Sequence, residues 1–229
     1  MAGFGFFGTI VGYNFVKYDA VARSGKPKMS PRLQLLIILS AVATAATIFC
    51  FFHLNLRTQI ASGIFLLIVA LYTLPFFPNR KNARSWAGLK IYMVALCWVG
   101  VTVVLPVLND GAPSSTTFYI VCVKRFIQIV VLLFVFEIID LAWDDPHLNT
   151  VPQQIGIKRT KHLGISMLLL FLVLELFQVN DLKRFLASVV VIVVTGIFLV
   201  LANEKRSKYY TAFWVESIPM FWWLLLIFL

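Results

Sequence analysis

The chain has 229 residues, of which 60% are hydrophobic and 13% charged, and it carries a net charge of +10. So little charge over so much apolar sequence excludes a soluble globular domain and describes a polytopic membrane protein. In a soluble chain the excess of Lys and Arg would raise nucleic acid as a partner; here the basic residues stand in short clusters between apolar runs, so membrane topology accounts for them and no nucleic acid is expected.

Taken in order, the apolar runs predict eight spans, each near the ~20 residues a bilayer requires. They fall at about 1–18, 33–53, 58–77, 88–108, 116–138, 163–179, 184–202 and 210–229. The expected fold is therefore all-α, a membrane helical bundle of about eight transmembrane helices, with the whole of 1–229 forming one membrane domain. Loops alternate between basic and poor. Lys17, Arg23, Lys26, Lys28 and Arg32 follow the first span, and Arg80, Lys81, Arg84 and Lys90 the third. Lys158, Arg159 and Lys161 follow the fifth, and Lys205, Arg206 and Lys208 the seventh; the other loops hold only Arg57, Lys183 and Arg184. By the positive-inside rule the basic loops are cytoplasmic. The first span then starts outside the cell without a charged flank or a basic leader. The simplest expectation is that the chain lacks one helix that would precede it.

Within the spans, Gly8 and Gly12 have the spacing of closely packed membrane helices. Pro106 and Pro219 are expected to bend or end helices. The three cysteines, Cys50, Cys97 and Cys122, lie in apolar runs with no CxxC spacing and read as packed thiols. Ionisable residues inside spans draw attention by default. Lys124 and Arg125 stand about 22 Å along the helix from Asp140, too far to join it. Glu175 has a comparable depth, and an Arg125–Glu175 ion pair is the expected arrangement. Glu216 and His53, near helix ends, are expected to reach interfacial water.

The stretch FEIIDLAWDDPHLNTVPQQIG at 136–156 stands apart, with four of the ten acidic residues: Glu137, Asp140, Asp144 and Asp145. If the preceding helix runs on, Glu137, Asp140 and Asp144 share one stripe and Asp145 points aside. Three carboxylates on one face repel each other unless a cation sits among them, and Mg²⁺ takes one or two carboxylates plus phosphate oxygens. The same acids also suit a solvated helix end just outside a membrane, and spacing alone leaves both readings open. On the same side, Asn14 and Lys17 share a helix face. An amide, an ammonium and a carboxylate stripe would together suit a Mg²⁺-bound diphosphate. Lys158 and its neighbours could add phosphate contacts, although topology alone explains them. Thr150, Pro152 and Gly156 read as turn chemistry.

The sequence DLAWD at 140–144 followed by TVPQQIG at 150–156 resembles the second Asp-rich motif of the UbiA superfamily of membrane prenyltransferases. There an Asp-x-x-x-Asp pair precedes a Thr-(Leu or Ile)-Pro-x-x-x-Gly turn. The helix 125–137, the span 89–106 and KRSKYY at 205–210 are also similar to a bacterial branch of that family, so the resemblance covers essentially the whole chain. It implies nine helices around a central cavity, which the eight spans fit if the first is missing, and a bacterial inner (plasma) membrane with the acidic motif on the cytoplasmic side. It further implies Mg²⁺-dependent transfer of an isoprenyl group from a polyprenyl diphosphate to an aromatic or other lipid acceptor. Asp140 and Asp144 would be the catalytic metal–diphosphate residues, with Glu137 in support and Asn14, Lys17 and Lys158 toward the diphosphate. The family's first motif, Asn-Asp-x-x-Asp, is kept here only as Asn14: Phe15 and Tyr18 replace the acids and Asp19 falls one position late. Ala142 also stands where an acid is common. A non-catalytic descendant that binds lipid or stabilises a membrane complex is therefore the alternative. A transporter, raised by Lys124, Arg125 and Glu175, ranks last because the halves show no repeat and no clear pair of broken helices.

Overall fold

The computed structural model describes residues 1–23, 31–73, 88–112, 115–144, 148–178 and 181–228, with backbone alone at 16, 18–23, 32 and 72. Asp145, Lys26, Lys28, Arg80, Lys81 and Arg84 lie outside the described residues, as do the side chains of Tyr18, Asp19, Arg23 and Arg32.

Every described element is helical, and the described parts of the expected spans fall largely on helical stretches; the α-helices are α1 (Ala2–Arg23), α2 (Pro31–Phe52), α3 (Leu56–Thr73), α4 (Leu89–Val99), α5 (Leu105–Asn109), α6 (Thr116–Asp140), α7 (Val151–Ile155), α8 (Ile157–Leu176), α9 (Leu182–Leu201) and α10 (Ile218–Phe228). In a membrane this is the economical solution, because a helix satisfies its own backbone polar groups without water. Among the described residues, five stretches are both long and apolar enough to cross a bilayer: Leu33–Phe52, Leu89–Asn109, Thr116–Asp140, Leu182–Leu201 and Tyr210–Phe228. The protein is an all-helical membrane protein, and the exposed Leu, Ile, Val and Phe side chains along α2 and α9 suit lipid rather than water.

Two of these spans are interrupted in the same way. A π-helical stretch, Gly100–Val104, joins α4 to α5, and another, Tyr210–Val215, precedes α10. Pro106 and Pro219 each stand in the first turn after such a stretch. A proline has no N–H to give to the preceding turn, and the wider π turn accommodates that break.

The chain divides into two compact units, Met1–Asn82 with Gly100–Pro113, and Ala83–Val99 with Ser114–Leu229. In the first, α1 packs along α2. The hydroxyls of Thr9, Thr44 and Thr47 each donate to the carbonyl four residues back, which hides them from lipid. Asn55 caps α3 by accepting from Thr58 N–H at 2.9 Å, and its amide nitrogen holds the carbonyls of Leu108 and Asn109 at 3.0 and 2.9 Å. Gly8 meets Thr47 at ordinary contact distance and Gly12 meets nothing, so the close approach expected there is absent. It occurs instead at Gly100, where a Cβ would collide with the Phe65 ring.

The second unit is built around α6. Ile127, Val130, Val131, Phe134, Val135, Ile138 and Ile139 are buried there against α4, α8 and α9. Ser115 starts the helix by accepting from Phe118 N–H. Lipid competes with apolar side chains, so packing quality rather than water exclusion holds such helices together. Gly164 provides it: a Cβ at that position would stand 2.5 Å from Leu199 and 3.4 Å from Phe134.

The membrane-embedded charges differ from the expected pairing. Lys124, not Arg125, binds Glu175, with Nζ 2.8 Å from Oε2 and 2.6 Å from Gln178 Oε1. Neighbours on a helix point about 100° apart, so only one of the two can face α8. Arg125 turns to α10, with its guanidinium carbon 4.4 Å from the Trp222 ring centroid.

Candidate functional site

The acidic stretch lies where α6 ends. The helix stops at Asp140, so the stripe expected of a longer helix is not formed by helix alone. A turn replaces it: the amides of Trp143 and Asp144 both donate to the Asp140 carbonyl at 2.8 Å. This return keeps Asp144 near Asp140, and both are partly exposed. The two carboxylates repel each other, and Asp144 repels Glu137 as well.

Glu137 also makes a structural contact. It is 5% exposed and its Oε2 accepts from the Val151 N–H at 3.1 Å, which ties the first turn of α7 to the last turns of α6. A carboxylate suits a helix N-terminus because the amides there lack intrahelical partners and carry partial positive charge. Thr150 N–H donates to Gln153 Oε1 at 2.9 Å, closing the same turn from the other side. Gly156 links α7 to α8 at φ +82°, a backbone conformation that a side chain would strain. The turn chemistry read from Thr150, Pro152 and Gly156 is thus present, and it orders the chain directly after the acids.

Two cations oppose the acids. Lys90, in the first turn of α4, acts electrostatically on Glu137 and Asp140; Lys208, between α9 and α10, acts on Asp140. Lys208 also lies 4.9 Å from the ring centroid of Trp143, which is 71% exposed. In the sequence both lysines belong to clusters that topology explains, and nothing in their spacing signals the acids.

Asn14, Lys17 and Lys158 complete the expected set. Asn14 lies in the first unit, where its amide donates to Ser40 Oγ at 2.9 Å. Lys17 is exposed there, with Nζ 5.4 Å from the Tyr13 ring. Lys158 is exposed in the first turn of α8, with no ion pair to Asp140 or Asp144 among the described residues.

Among the described residues no three His, Cys, Asp or Glu side chains cluster closely enough to hold a metal by themselves. With Glu137 Oε2 engaged at α7, the more exposed donors offered to a cation are Asp140 and Asp144. Two carboxylates fit Mg²⁺, which retains waters and takes the remaining ligands from a phosphate substrate. The arrangement can thus receive a cation and an anion together, with carboxylates toward the first and ammonium groups toward the second. Comparison with known protein families, with curated proteins and with solved structures finds no match.

Proposed function

We propose that the protein is a UbiA-like prenyltransferase of the bacterial inner membrane, which moves an isoprenyl group from a polyprenyl diphosphate to an aromatic or lipid acceptor. The observation that carries this reading is the return of Asp144 onto the Asp140 carbonyl, with two partly exposed carboxylates beside Lys90 and Lys208. The proposal takes the eight helical stretches as spans around a central cavity, with the acids on the cytoplasmic side, as the distribution of Lys and Arg favours.

In this reading Asp140 and Asp144 hold Mg²⁺, and Glu137 fixes the turn that follows them. A bound Mg²⁺ would supply Lewis-acid neutralisation of the leaving diphosphate. Lys90 and Lys208, which oppose the acids, would hold oxygens of the diphosphate. Asn14, Lys17 and Lys158 are assigned to the diphosphate on sequence grounds. Trp143, exposed beside Lys208, offers an aromatic surface next to the charged groups.

The test is equilibrium binding of labelled farnesyl diphosphate to the purified full chain, with Mg²⁺ and with chelator, beside the Asp140→Asn variant. Binding that requires both Mg²⁺ and Asp140 supports the reading. Absence of binding in a folded sample removes it in favour of a second one, a non-catalytic lipid-binding or scaffolding protein. That second reading has its own observation: the described residues hold no three-ligand metal cluster, and the family's first acidic motif is reduced to Asn14.

A further inference from the structure

Far from the acids along α6, three side chains of the second unit carry buried polar atoms with no hydrogen-bond partner among the described residues: Arg125 Nε, Gln128 Oε1 and Trp222 Nε1. Two of them touch, and the third is one helical turn along α6. The Arg125 guanidinium lies over the Trp222 ring at 4.4 Å, and Gln128 follows Arg125 by three residues on the same side of α6. The Trp222 ring is also packed against Phe171, with centroids 6.0 Å apart.

The chemistry of the three atoms is complementary to one kind of group. Gln128 is 2% exposed, and its amide nitrogen donates to Thr195 Oγ1 at 2.8 Å. The Thr195 hydroxyl in turn donates to the Val191 carbonyl at 2.8 Å. Since that hydroxyl has spent its hydrogen, only the nitrogen of Gln128 can face it, and Oε1 is left as an acceptor. The set is therefore two N–H donors and one carbonyl acceptor on membrane-spanning helices, where bulk water does not reach. An oxygen that bears a hydrogen answers all three. Its lone pairs accept from Arg125 and Trp222, and its hydrogen goes to Gln128. An ionised carboxylate has no hydrogen for Gln128, and a hydrocarbon has neither function.

We propose that Arg125, Gln128 and Trp222 form an intramembrane binding site for a hydroxyl oxygen, supplied by water or by the alcohol head of a membrane-soluble molecule. This site is independent of the acidic one and of the prenyltransferase reading.

The experiment is thermal unfolding of the full chain in phosphatidylethanolamine–phosphatidylglycerol nanodiscs, as a double-mutant cycle of Trp222→Phe and Gln128→Met. Trp222→Phe keeps an aromatic ring and removes the indole donor, together with part of the ring face that Arg125 and Phe171 touch, so the coupling in the cycle is what reports the shared oxygen. The substitution is expected to lower the melting midpoint by about 2–4 °C, the shift that one lost hydrogen bond produces in a chain of this size. The two substitutions are expected to couple, the second costing less once the first is made, because both act on one shared oxygen. A Trp222→Phe midpoint equal to or above the parent's, or additive shifts, overturns the proposal. Farnesol, with farnesene as the hydrocarbon control, then identifies the source. A rise in midpoint with farnesol alone, lost in Trp222→Phe, assigns the oxygen to an alcohol; a coupled cycle without that rise assigns it to water.

Discussion

Lys124 Nζ lies 2.8 Å from Glu175 Oε2, with the two side chains 10% and 8% exposed. The pair joins α6 to α8 and is completed by Gln178, whose own amide nitrogen reaches the Thr117 carbonyl at 3.2 Å. Taking charges out of water is costly, and the Coulomb gain repays it only when hydrogen bonds satisfy both partners.

Breaking this pair from one side should therefore be severe. Lys124→Met and Glu175→Leu, made singly, are expected to destabilise by about 3–5 kcal/mol, because each leaves a buried charge alone. The double variant should recover much of that loss. Chemical denaturation in micelles measures all three; a double variant as unstable as the sum of the singles would contradict the assignment.

Glu137 separates a structural role from a metal role. Glu137→Ala removes the acceptor for Val151 N–H and is expected to cost about 1–3 kcal/mol of stability. Glu137→Gln retains an acceptor oxygen and should keep most of that stability. It should also leave Mg²⁺-dependent diphosphate binding close to the parent's. If Glu137→Gln loses binding as completely as Asp140→Asn does, Glu137 is a ligand and not a fastening for α7.

Asp144→Asn is expected to remove Mg²⁺-dependent ligand binding while expression and folding persist, since Asp144 is partly exposed and its backbone amide makes the turn. Lys208→Gln should weaken that binding by roughly tenfold to a hundredfold, the worth of one charge-assisted contact. Titration with labelled farnesyl diphosphate reads both. Parent-like affinity in the two variants would move the site elsewhere.

Gly164→Ala should destabilise by about 1–3 kcal/mol through overpacking against Leu199 and Phe134. Gly12→Ala, with nothing within 4 Å of the new methyl, should be neutral or slightly stabilising. Parallel melting curves of the two variants test the contrast, and equal losses would refute it.

The helices were legible because a bilayer imposes long apolar runs, and the described parts of those runs fall on helical stretches, whereas the short α7 lies outside all of them. Facing directions were not. Lys124 and Arg125 are adjacent in sequence, and only the packing of α8 and α10 decides which of them meets Glu175. Gly164 looks like any glycine in a helix until Leu199 is placed against it, whereas the spaced pair Gly8 and Gly12 carries the familiar pattern with only an ordinary contact at Gly8 and none at Gly12. At the acids, the residue types and the turn after them could be read directly. The end of α6 at Asp140 and the approach of Lys90 and Lys208 could not, because they depend on segments distant in the chain.

The π-helical stretches ahead of Pro106 and Pro219 bear on how side-chain faces are counted along these spans. A π turn holds one residue more than an α-helical turn, so everything downstream falls behind the regular helical count by about 100°. A helical wheel drawn from the start of the last span would therefore put Phe221 where Trp222 stands. Which aromatic ring meets Arg125 is set upstream, by the phase slip at 210–215, and not by the residues at the contact itself.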